Sequence, residues 1–403
     1  MKDNNPTLKL QGFSNDWTEY KLSDIGHTYS GLSGMTKEDF NTGDSKYITY
    51  MNVFTNVSAK YSDKWLGRVD IKEGKNQNKV TQGDLLFTTS SETPEEVGMV
   101  SCWEHDIDNV YLNSFCFGFR IDNLKLVNPG FLSYLLRSPK YRLKLSVLAQ
   151  GSTRYNLSKT ELMKLTIKIP NLKEQKDIVS IFKTLDENIT YYQQELEALK
   201  QTKQGFLQKM FPRETETVPQ IRFKGFLGEW KSNAFSTIVE RVSKQSNSDS
   251  LPKLEFEDII SGEGRLNKDI SEKFDNRKGI VFEPGYILFG KLRPYLKNWL
   301  LPKFNGIALG DFWVFTTKHS PEFVYSLIQT NKFQTVANLS TGTKMPRSDW
   351  KTVSTTEFLI PSIEEQLKIG EFFRQLDEVI ELKEKEIEAL KETKKGFLQK
   401  MFV

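Results

Sequence analysis

Two stretches of the chain carry the same spacing of apolar residues, in alternating steps of four and three. The first stretch has Ile178, Phe182, Leu185, Ile189, Tyr192, Leu196, Leu199, Phe206 and Met210. The second has Ile369, Phe373, Leu376, Ile380, Ile387, Leu390, Phe397 and Met401, and lysines interrupt the pattern at Lys203, Lys383 and Lys394. A mean step of 3.5 residues predicts long helices that pair as a left-handed coiled coil. The alternative, two separate amphipathic helices on globular cores, fits this strict period less well.

The same two stretches are copies of one another. "EALKQTKQGFLQKMF" (197–211) and "EALKETKKGFLQKMF" (388–402) agree at thirteen of fifteen positions, and the gapless match of 169–211 with 360–402 has 24 identities in 43 positions. Each copy opens with a capping residue and, three residues later, a glutamate, the spacing of a capping box. A duplication of this length means that one structural unit is used twice.

A second repeat is out of phase with the first, so that one of its members precedes each helical copy. The segment 6–25 resembles 219–238, and "GDLLF" (83–87) resembles "GYILF" (285–289). The order is therefore domain, helix, domain, helix, and we predict a first head at 1–168, a helix at 169–211, a second head at 212–359 and a helix at 360–403. Antiparallel pairing of the helices would return the C-terminus to the first head, which predicts a pseudo-twofold circular arrangement.

The heads have the patterns of mixed α/β domains, so the predicted fold class is α+β. Aromatic-rich or alternating runs predict strands at 45–54, 114–121 and 311–317. One helix is predicted in each head, near 131–136 and 323–328.

Composition narrows the protein class. With 38% hydrophobic residues the chain can fill real cores, which argues against wholesale disorder. Two cysteines, Cys102 and Cys116, without a cysteine–histidine cluster exclude a disulfide framework and argue against a structural zinc site. The opening residues lack a signal-like apolar stretch and no run approaches ~18 apolar residues. We therefore expect a cytoplasmic protein that does not enter the membrane.

Motifs for catalysis or cofactor binding are not readable in the sequence. "SGLSGMT" (30–36) lacks the lysine and hydroxyl ending of a phosphate loop, and there is no GxGxxG. His27, His105 and His319 are isolated, so structural roles are expected for them. The chain is predicted to hold no metal, no cofactor and no catalytic residues.

Charge separates the heads from the helices. The helical copies have a net charge of −2, whereas the rest of the chain has +6. In the heads, bases stand beside tyrosine, threonine and asparagine in loop-like segments, the side chains that hold phosphates and read base edges. Ordinary solvated loops explain any one of these segments equally well. The candidate DNA-binding residues are Lys46, Tyr47, Thr49, Arg154, Tyr155, Asn156, Lys291, Arg293, Tyr295, Lys297, Lys344 and Arg347.

The layout resembles the DNA-specificity subunit of type I restriction–modification systems. The residues that carry the resemblance are "GFLQKMF" at the end of each helix, "IPxxxEQxxI" at 169–178 and 360–369, and "GDLLF" with "GYILF…KLRPYL" in the heads. The first head differs in having "FTTSSETPEEVG" (87–98) where the second has the basic "FGKLRPYLKN". Thr89 and Ser90 are its candidate DNA-binding residues at that place.

The resemblance implies a division of labour. Each head would be a target-recognition domain that reads one half of a split, asymmetric site in double-stranded DNA through the major groove. The helices would set the spacing and dock two modification subunits, which bind S-adenosylmethionine and methylate adenine. Restriction subunits, which use ATP and magnesium, would join that core, and this chain would be non-catalytic. The candidate docking residues are Lys203, Gly205, Phe206, Lys394, Gly396 and Phe397.

Two other classes of function are alternatives to a DNA-specificity subunit. A duplicated coiled-coil scaffold that does not bind DNA would explain the helices but not the basic, aromatic loops. A nuclease with a divergent site is the third possibility, although the sequence nominates no residues for it.

Overall fold

The computed structural model describes residues 6–11, 17–72, 76–213, 215–339 and 345–402. The chain divides into two compact units, the first made of Met1–Tyr191 with Ile387–Val403 and the second of Tyr192–Glu386. Each unit contains one head together with part of each of two long helices. The boundaries proposed above for separate heads and helices stay a prediction.

The first head is a run of short strands with four short helices. Its strands are β1 (Thr18–Lys21), β2 (Gly26–Ser30), β3 (Phe40–Ile48), β4 (Leu66–Val69), β5 (Leu85–Thr88), β6 (Ser90–Ser91), β7 (Val100–Cys102), β8 (Val110–Leu112), β9 (Cys116–Ile121), β10 (Ala149–Gln150), β11 (Tyr155–Leu157) and β12 (Thr166–Ile169). Its helices are α1 (Tyr50–Thr55), α2 (Pro129–Arg137), α3 (Pro139–Val147) and α4 (Lys159–Met163), and the first long helix, α5 (Leu172–Lys209), follows.

The second head has the same kinds of element. Its strands are β13 (Lys231–Ala234), β14 (Val239–Arg241), β15 (Gln245–Ser246), β16 (Lys253–Leu254), β17 (Gly279–Phe282), β18 (Ile287–Gly290), β19 (Trp299–Leu300), β20 (Gly306–Ala308), β21 (Phe312–Thr317) and β22 (Glu357–Ile360). Its helices are α6 (Phe235–Ile238), α7 (Pro321–Leu327), α8 (Asn331–Ala337) and α9 (Trp350–Thr355), and the second long helix is α10 (Ile363–Lys400).

Strand pairing follows one plan in both heads. An antiparallel four-stranded sheet has the order β2-β9-β5-β7 in the first head and β14-β21-β18-β19 in the second. A further sheet in each contains one parallel pair, β3 with β8 and β16 with β20. A two-stranded antiparallel sheet joins the first strand of each head to the strand before its long helix, β1 with β12 and β13 with β22. The predicted fold class, α/β heads with a long helix after each, is confirmed.

Within each unit the two long helices run antiparallel. In the first unit Asp186 contacts Lys394 and Phe182 stacks on Phe402. The residue that comes earlier in α5 thus faces the residue that comes later along the chain, just after α10. In the second unit the helices meet through the ion pairs Lys200–Glu384 and Lys203–Asp377. The apolar stripe faces this contact, as the 3.5-residue step predicts.

Lys383, one of the lysines that interrupt the stripe, has a local explanation. The Lys383 ammonium lies 4.2 Å from the centroid of the Tyr192 ring and 3.1 Å from a carboxylate oxygen of Glu195. Its side chain is only 17% exposed, so the methylene stem packs at the seam while the charge is satisfied at its edge.

The repeated "GFLQKMF" ends each long helix inside a head core. Phe211 packs in the second unit against Phe323 and Trp230. Phe402 occupies the corresponding place in the first unit, where its ring lies 5.5 Å from that of Phe131. The duplicated motif therefore has a structural role, which is to attach each helix end to a head.

The repeated Glu-Gln of "IPxxxEQxxI" holds the start of each long helix against the head. Gln175 accepts the backbone N–H of Asn128 at 2.8 Å, and Asn128 itself caps α2. Gln366 accepts the backbone N–H of Ser320, the residue that caps α7, and donates to the carbonyl of Pro361 at 2.9 Å. One amide side chain thus joins two helix starts in each unit.

The capping-box prediction is half right. Asn171 accepts the Glu174 N–H at 3.0 Å, as a cap does, but the Glu174 carboxylate is turned to the Trp17 indole at 3.4 Å. Glu365, which is 1% exposed, binds the Arg222 guanidinium through two bonds of 2.7 and 2.8 Å. Both carboxylates thus bind residues of the heads instead of reaching back to the cap.

Two local predictions are wrong. The strand predicted at 45–54 ends at Ile48, because the Thr49 side chain accepts the N–H of Asn52 and starts α1. The heads also contain more than one helix each; α3, for example, was missed because its apolar residues Leu143 and Val147 face solvent and give no amphipathic pattern. Within the described residues, no helix is long and apolar enough to span a membrane.

Candidate nucleic-acid interface

In the first head the structure brings two distant candidate segments together. Strand β6 pairs with β11, with Ser90 opposite Asn156 and Ser91 opposite Tyr155, and the Leu157 N–H donates to the Thr89 carbonyl at 2.8 Å. We call Thr89, Ser90, Arg154, Tyr155 and Asn156 patch 1. These residues were predicted from separate loops. Ser90, Tyr155 and Asn156 belong to one small sheet at the end of the central strand β5, and Thr89 and Arg154 adjoin its strands.

Arg154 is the exposed cation of patch 1. Its guanidinium makes no hydrogen bond or ion pair to another residue in the part of the chain that the structure describes. Tyr155 is half-buried against the core, whereas Asn156 is exposed. Hydroxyl, amide and guanidinium groups thus meet at one edge of the head.

The acidic loop beside patch 1 is held by an arginine that the sequence did not single out. Arg142 donates to the carbonyls of Glu95 at 2.7 Å and Gly98 at 2.9 Å, and burial lowers the pKa of Arg142 to about 10. The Ser91 hydroxyl donates to Glu96 at 3.3 Å. No sequence pattern singled out Arg142, because α3, the helix that carries it, was not predicted.

The remaining candidates of the first head are occupied by structural contacts. Lys46 pairs with Asp63 at 3.2 Å, and the Tyr47 ring packs on Phe40 with centroids 5.3 Å apart. Thr49 caps α1 and donates to the Trp65 carbonyl at 3.0 Å. The neighbouring Tyr50 hydroxyl donates to the Ser90 carbonyl at 2.8 Å, so the start of α1 lies beside patch 1.

The second head repeats this arrangement with basic residues. Leu292 forms an antiparallel bridge with Arg347, and these positions correspond in the internal repeats to Ser90 and Asn156. We call Lys291, Arg293, Tyr295, Lys297 and Arg347 patch 2. Lys344 lies outside the described residues.

One carboxylate organises the base of patch 2. Asp311 lies 3.4 Å from the Lys291 ammonium and 3.0 Å from Nη2 of Arg347, which ties the two segments together. The Lys291 N–H also donates to the Asp311 carbonyl at 2.9 Å. Asp311 was read from sequence only as the start of a strand, and nothing in the local pattern indicated its two basic partners.

The loop above this clamp has an unusual backbone. Arg293 has φ 50° and ψ 60°, and Lys297 has φ 54° and ψ 43°, both left-handed. A non-glycine residue held in such a sparsely populated region costs roughly 1–3 kcal/mol, and such residues cluster at functional sites. The loop is held by Arg293 N–H to the Pro346 carbonyl at 2.7 Å and by Gly262 N–H to the Lys297 carbonyl at 3.1 Å.

The side chains of that loop are free to meet a ligand. Tyr295 is 55% exposed, and Arg293 and Lys297 are exposed beside it. Within the described ranges, none of these three side chains has a hydrogen-bond or ion-pair partner. Patch 2 therefore combines a fixed base, Lys291 and Arg347 on Asp311, with a tip of unpaired donors.

The candidate docking residues fall into two groups. Lys203 and Lys394 point inward to aspartates, while Phe206 packs on Phe372 with ring centroids 4.9 Å apart and Phe397 lies against the core of the first unit. A Cβ at Gly205 or at Gly396 would meet nothing within 4 Å in the part of the chain that the structure describes. The assignments to DNA binding and to docking all stay predictions.

The chain is similar in sequence and in fold to type I restriction–modification specificity subunits. A family model described as "Type I restriction modification DNA specificity domain" matches residues 14–201 and 300–392. The type I restriction enzyme EcoDI specificity subunit of Escherichia coli is 23% identical over 351 residues, covering 76% of this chain and 78% of that protein. The crystal structure of the type I restriction–modification S subunit from M. genitalium superposes with a TM-score of 0.62 at 16% identity, covering 99% of both chains. A structure determined to explain complex assembly and conformational transition of the type I R-M system has a TM-score of 0.57 at 15% identity, covering 96% of this chain and 98% of that one.

Proposed function

The chain belongs to the type I restriction–modification DNA specificity family, and from this premise we propose that its two heads each read one half of a split, asymmetric target in double-stranded DNA. Recognition would reside in this chain, and partner modification subunits would methylate adenine with S-adenosylmethionine. Restriction subunits, which use ATP and magnesium, would be directed by the same DNA target. The chain itself would hold no cofactor and work in the cytoplasm.

Patch 2 is the observation that carries the proposal. A braced loop presents an arginine, a tyrosine and a lysine with unpaired donors above a second arginine. Arginine can bind guanine O6 and N7 in the major groove through two hydrogen bonds, and lysine holds phosphates. Because the loop backbone is fixed before binding, less ordering entropy is lost on contact with DNA.

Patch 1 would read its half-site with a different set of groups. Ser90 and Asn156 offer hydroxyl and amide groups, and asparagine pairs with adenine N6 and N7. Arg154 is the cation available there for phosphate or base contact. The chemical difference between equivalent positions, Asn156 and Arg347, gives a physical reason for two unlike half-sites.

The long helices would carry the docking sites for two modification subunits. Gly205 and Gly396 occupy the same place in each copy and lie inside helices, where glycine costs about 1 kcal/mol relative to alanine. Since a Cβ there would meet nothing within 4 Å among the described residues, packing within them does not demand glycine. Close approach of the backbone or a side chain of a modification subunit would require glycine at each of the two positions.

Mapping of methylated bases in cells that carry this chain with its modification subunit tests the proposal. We expect one adenine-methylated motif made of two specified parts and an unspecified gap of constant length. A strain that lacks this chain is the control and should lose the motif. Methylation without a two-part motif would contradict the proposal, and a chain with no salt-dependent DNA binding would instead fit a scaffold.

A further inference from the structure

Three side chains meet in the first unit where α2 touches both long helices. The Lys394 ammonium lies 2.5 Å from Oδ1 of Asp186, and the Tyr134 hydroxyl donates to Oδ2 of the same carboxylate at 2.8 Å. The lysine and aspartate side chains are 20% and 34% exposed. Burial, together with the charge of Asp186, raises the pKa of Tyr134, so its hydroxyl stays a donor. We call this cluster junction 1.

The equivalent lysine and aspartate of the internal repeat meet in the second unit, and a tyrosine one position away from the equivalent of Tyr134 lies beside them. The Lys203 ammonium lies 2.5 Å from Oδ1 of Asp377, with side chains 10% and 35% exposed. Burial raises the pKa of Asp377 against the opposing effect of Lys203. Tyr325, on α7, is the third member, because it lines one cavity together with Lys203 and Asp377. Burial and then the charge of Asp377 raise the pKa of Tyr325. We call this cluster junction 2.

The two junctions are built to one pattern. Asp186 and Lys203 are seventeen residues apart in α5, and Asp377 and Lys394 are seventeen apart in α10. Each lysine interrupts an apolar stripe, where a leucine would contribute more burial. A partly buried ion pair is weak support for stability, since desolvation offsets the attraction, but a polar pair in a helix seam does specify register and orientation. Its repeated use therefore indicates alignment.

Junction 2 also reaches the candidate DNA loop. The Tyr325 hydroxyl donates to the Gly264 carbonyl at 3.4 Å, and a Cβ at Gly264 would lie 1.8 Å from that hydroxyl, so only glycine fits there. Two residues earlier, the Gly262 N–H donates to the Lys297 carbonyl at 3.1 Å. A continuous chain of contacts therefore runs from the helix pair to the backbone of patch 2.

A ring of charges reinforces this link. Lys200 pairs with Glu263 at 2.9 Å and with Glu384 at 2.7 Å, and Arg265 pairs with Glu384 at 2.6 Å. The loop between Gly262 and Arg265 is thus tied to both long helices. In the first unit, Lys183 on α5 pairs in a comparable way with Glu104 of the head at 2.6 Å.

We infer that the two Lys–Asp–Tyr junctions are positioning devices for specificity: each sets the register of the long helices and fixes a head on them, and so selects the gap length between the half-sites. The inference rests on the proposed function. Reversing one charge places two carboxylates at junction 1 and favours a neighbouring register. The next apolar register is one turn away, about 5.4 Å along a helix, against ~3.4 Å per base pair. The gap should then shift or spread by roughly one or two base pairs, with the same bases read.

The test is selection from a duplex library with randomised half-sites and gaps, by the full chain assembled with its modification subunits. Lys394→Asp should yield shifted or mixed gaps, and Lys394→Asp with Asp186→Lys should restore a single gap. Lys395→Asp is the matched control, since the neighbouring Lys395 is 63% exposed and, among the described residues, pairs only with Glu392 of its own helix. The gap of this variant should not change. A purely stabilising role would alter the amount of folded complex in each variant and leave the gap constant.

An apolar variant covers the case in which Lys394→Asp does not fold. Lys394→Met with Asp186→Leu replaces the pair by side chains that pack in a seam, which proteins often tolerate, and we expect it to fold with mixed gaps. A single unchanged gap in this variant or in folded Lys394→Asp overturns the inference. A wild-type complex that selects no two-part site would contradict the proposed function instead.

Discussion

Lengthening both long helices by one turn should lengthen the gap between the half-sites. The junctions show which residues of the two helices face each other. Asp186 faces Lys394 and Lys203 faces Asp377, so each step forward along α5 matches one step back along α10. Four residues inserted after Gln193 and four after Glu386 therefore lie opposite one another, and neither insertion interrupts a junction. Four residues also keep the 3.5-residue stripe nearly in phase.

The size of the effect follows from helix geometry. Four residues add about 6 Å to each helix at ~1.5 Å per residue, and duplex DNA rises ~3.4 Å per base pair. The unspecified gap should grow by roughly one or two base pairs, while the bases read on either side stay the same. Methylation mapping of the active complex measures both quantities at once.

Two control variants separate length from disruption. Inserting the four residues after Gln193 alone leaves the two helices unequal by one turn, so one junction must break and the gap should become mixed. Inserting two residues in each helix rotates the stripe away from its partner and should abolish pairing and methylation. An unchanged gap in a folded, active variant with both four-residue insertions would refute the idea that the helices set the spacing.

Three further substitutions test the candidate surfaces. Lys297→Ala should weaken binding to all sequences and reduce the salt slope by about one unit, measured by titration at several salt concentrations, whereas Lys303→Ala, which removes an exposed lysine paired with Glu378, should leave the slope unchanged. Arg293→Gly keeps the left-handed backbone and so should preserve folding, yet it should relax one base position at a cost of ~1–3 kcal/mol; selection that still specifies every position would contradict a reading role. Gly396→Ala should raise helix stability by up to about 1 kcal/mol but weaken assembly with the modification subunit in a pull-down; unchanged assembly, even with Gly396→Leu, would remove this position from the docking site.

Local patterns in the sequence were sufficient for the long helices. A strict 3.5-residue step and a duplicated end motif predict two paired helices, because register along a helix is set by nearest neighbours. Short elements escaped prediction where local and tertiary preferences compete. Thr49 turns a strand-like run into α1 by capping it, and Leu143 faces solvent in α3.

The site was predictable as a set of loops but not as an assembly. The pairing of Ser90 with Asn156 and of Leu292 with Arg347 joins segments far apart in sequence, and no local pattern records such contacts. The sequence likewise nominated Lys291 as a free cation, although Asp311 holds it. The sequence shows where a charged residue stands but not which residue it pairs with. Only the fold shows which hydrogen-bond donors remain unpaired.

The lysines of the duplicated stretch illustrate the same limit. Lys203 and Lys394 look like exposed docking residues because they interrupt an apolar stripe with a charge. The aspartates that satisfy them lie on the other long helix, at Asp377 and Asp186. The repeated seventeen-residue spacing between aspartate and lysine was present in the sequence, and only the antiparallel pairing gives it a meaning.

The central claim is that two heads read two half-sites independently. Its most direct test exchanges the first head, residues 1–168, for the corresponding head of a relative, while retaining the residues that pack on the long helices. These include Trp17, Phe131 and Tyr134, which contact Phe402, Phe182 and Asp186.

Methylation mapping of cells that carry the exchanged chain gives the answer. The account predicts that one half of the motif changes to the relative's sequence, while the other half and the gap length stay as they were. A change in both halves, or no change in either, would contradict the claim that each head is a separate reader of DNA.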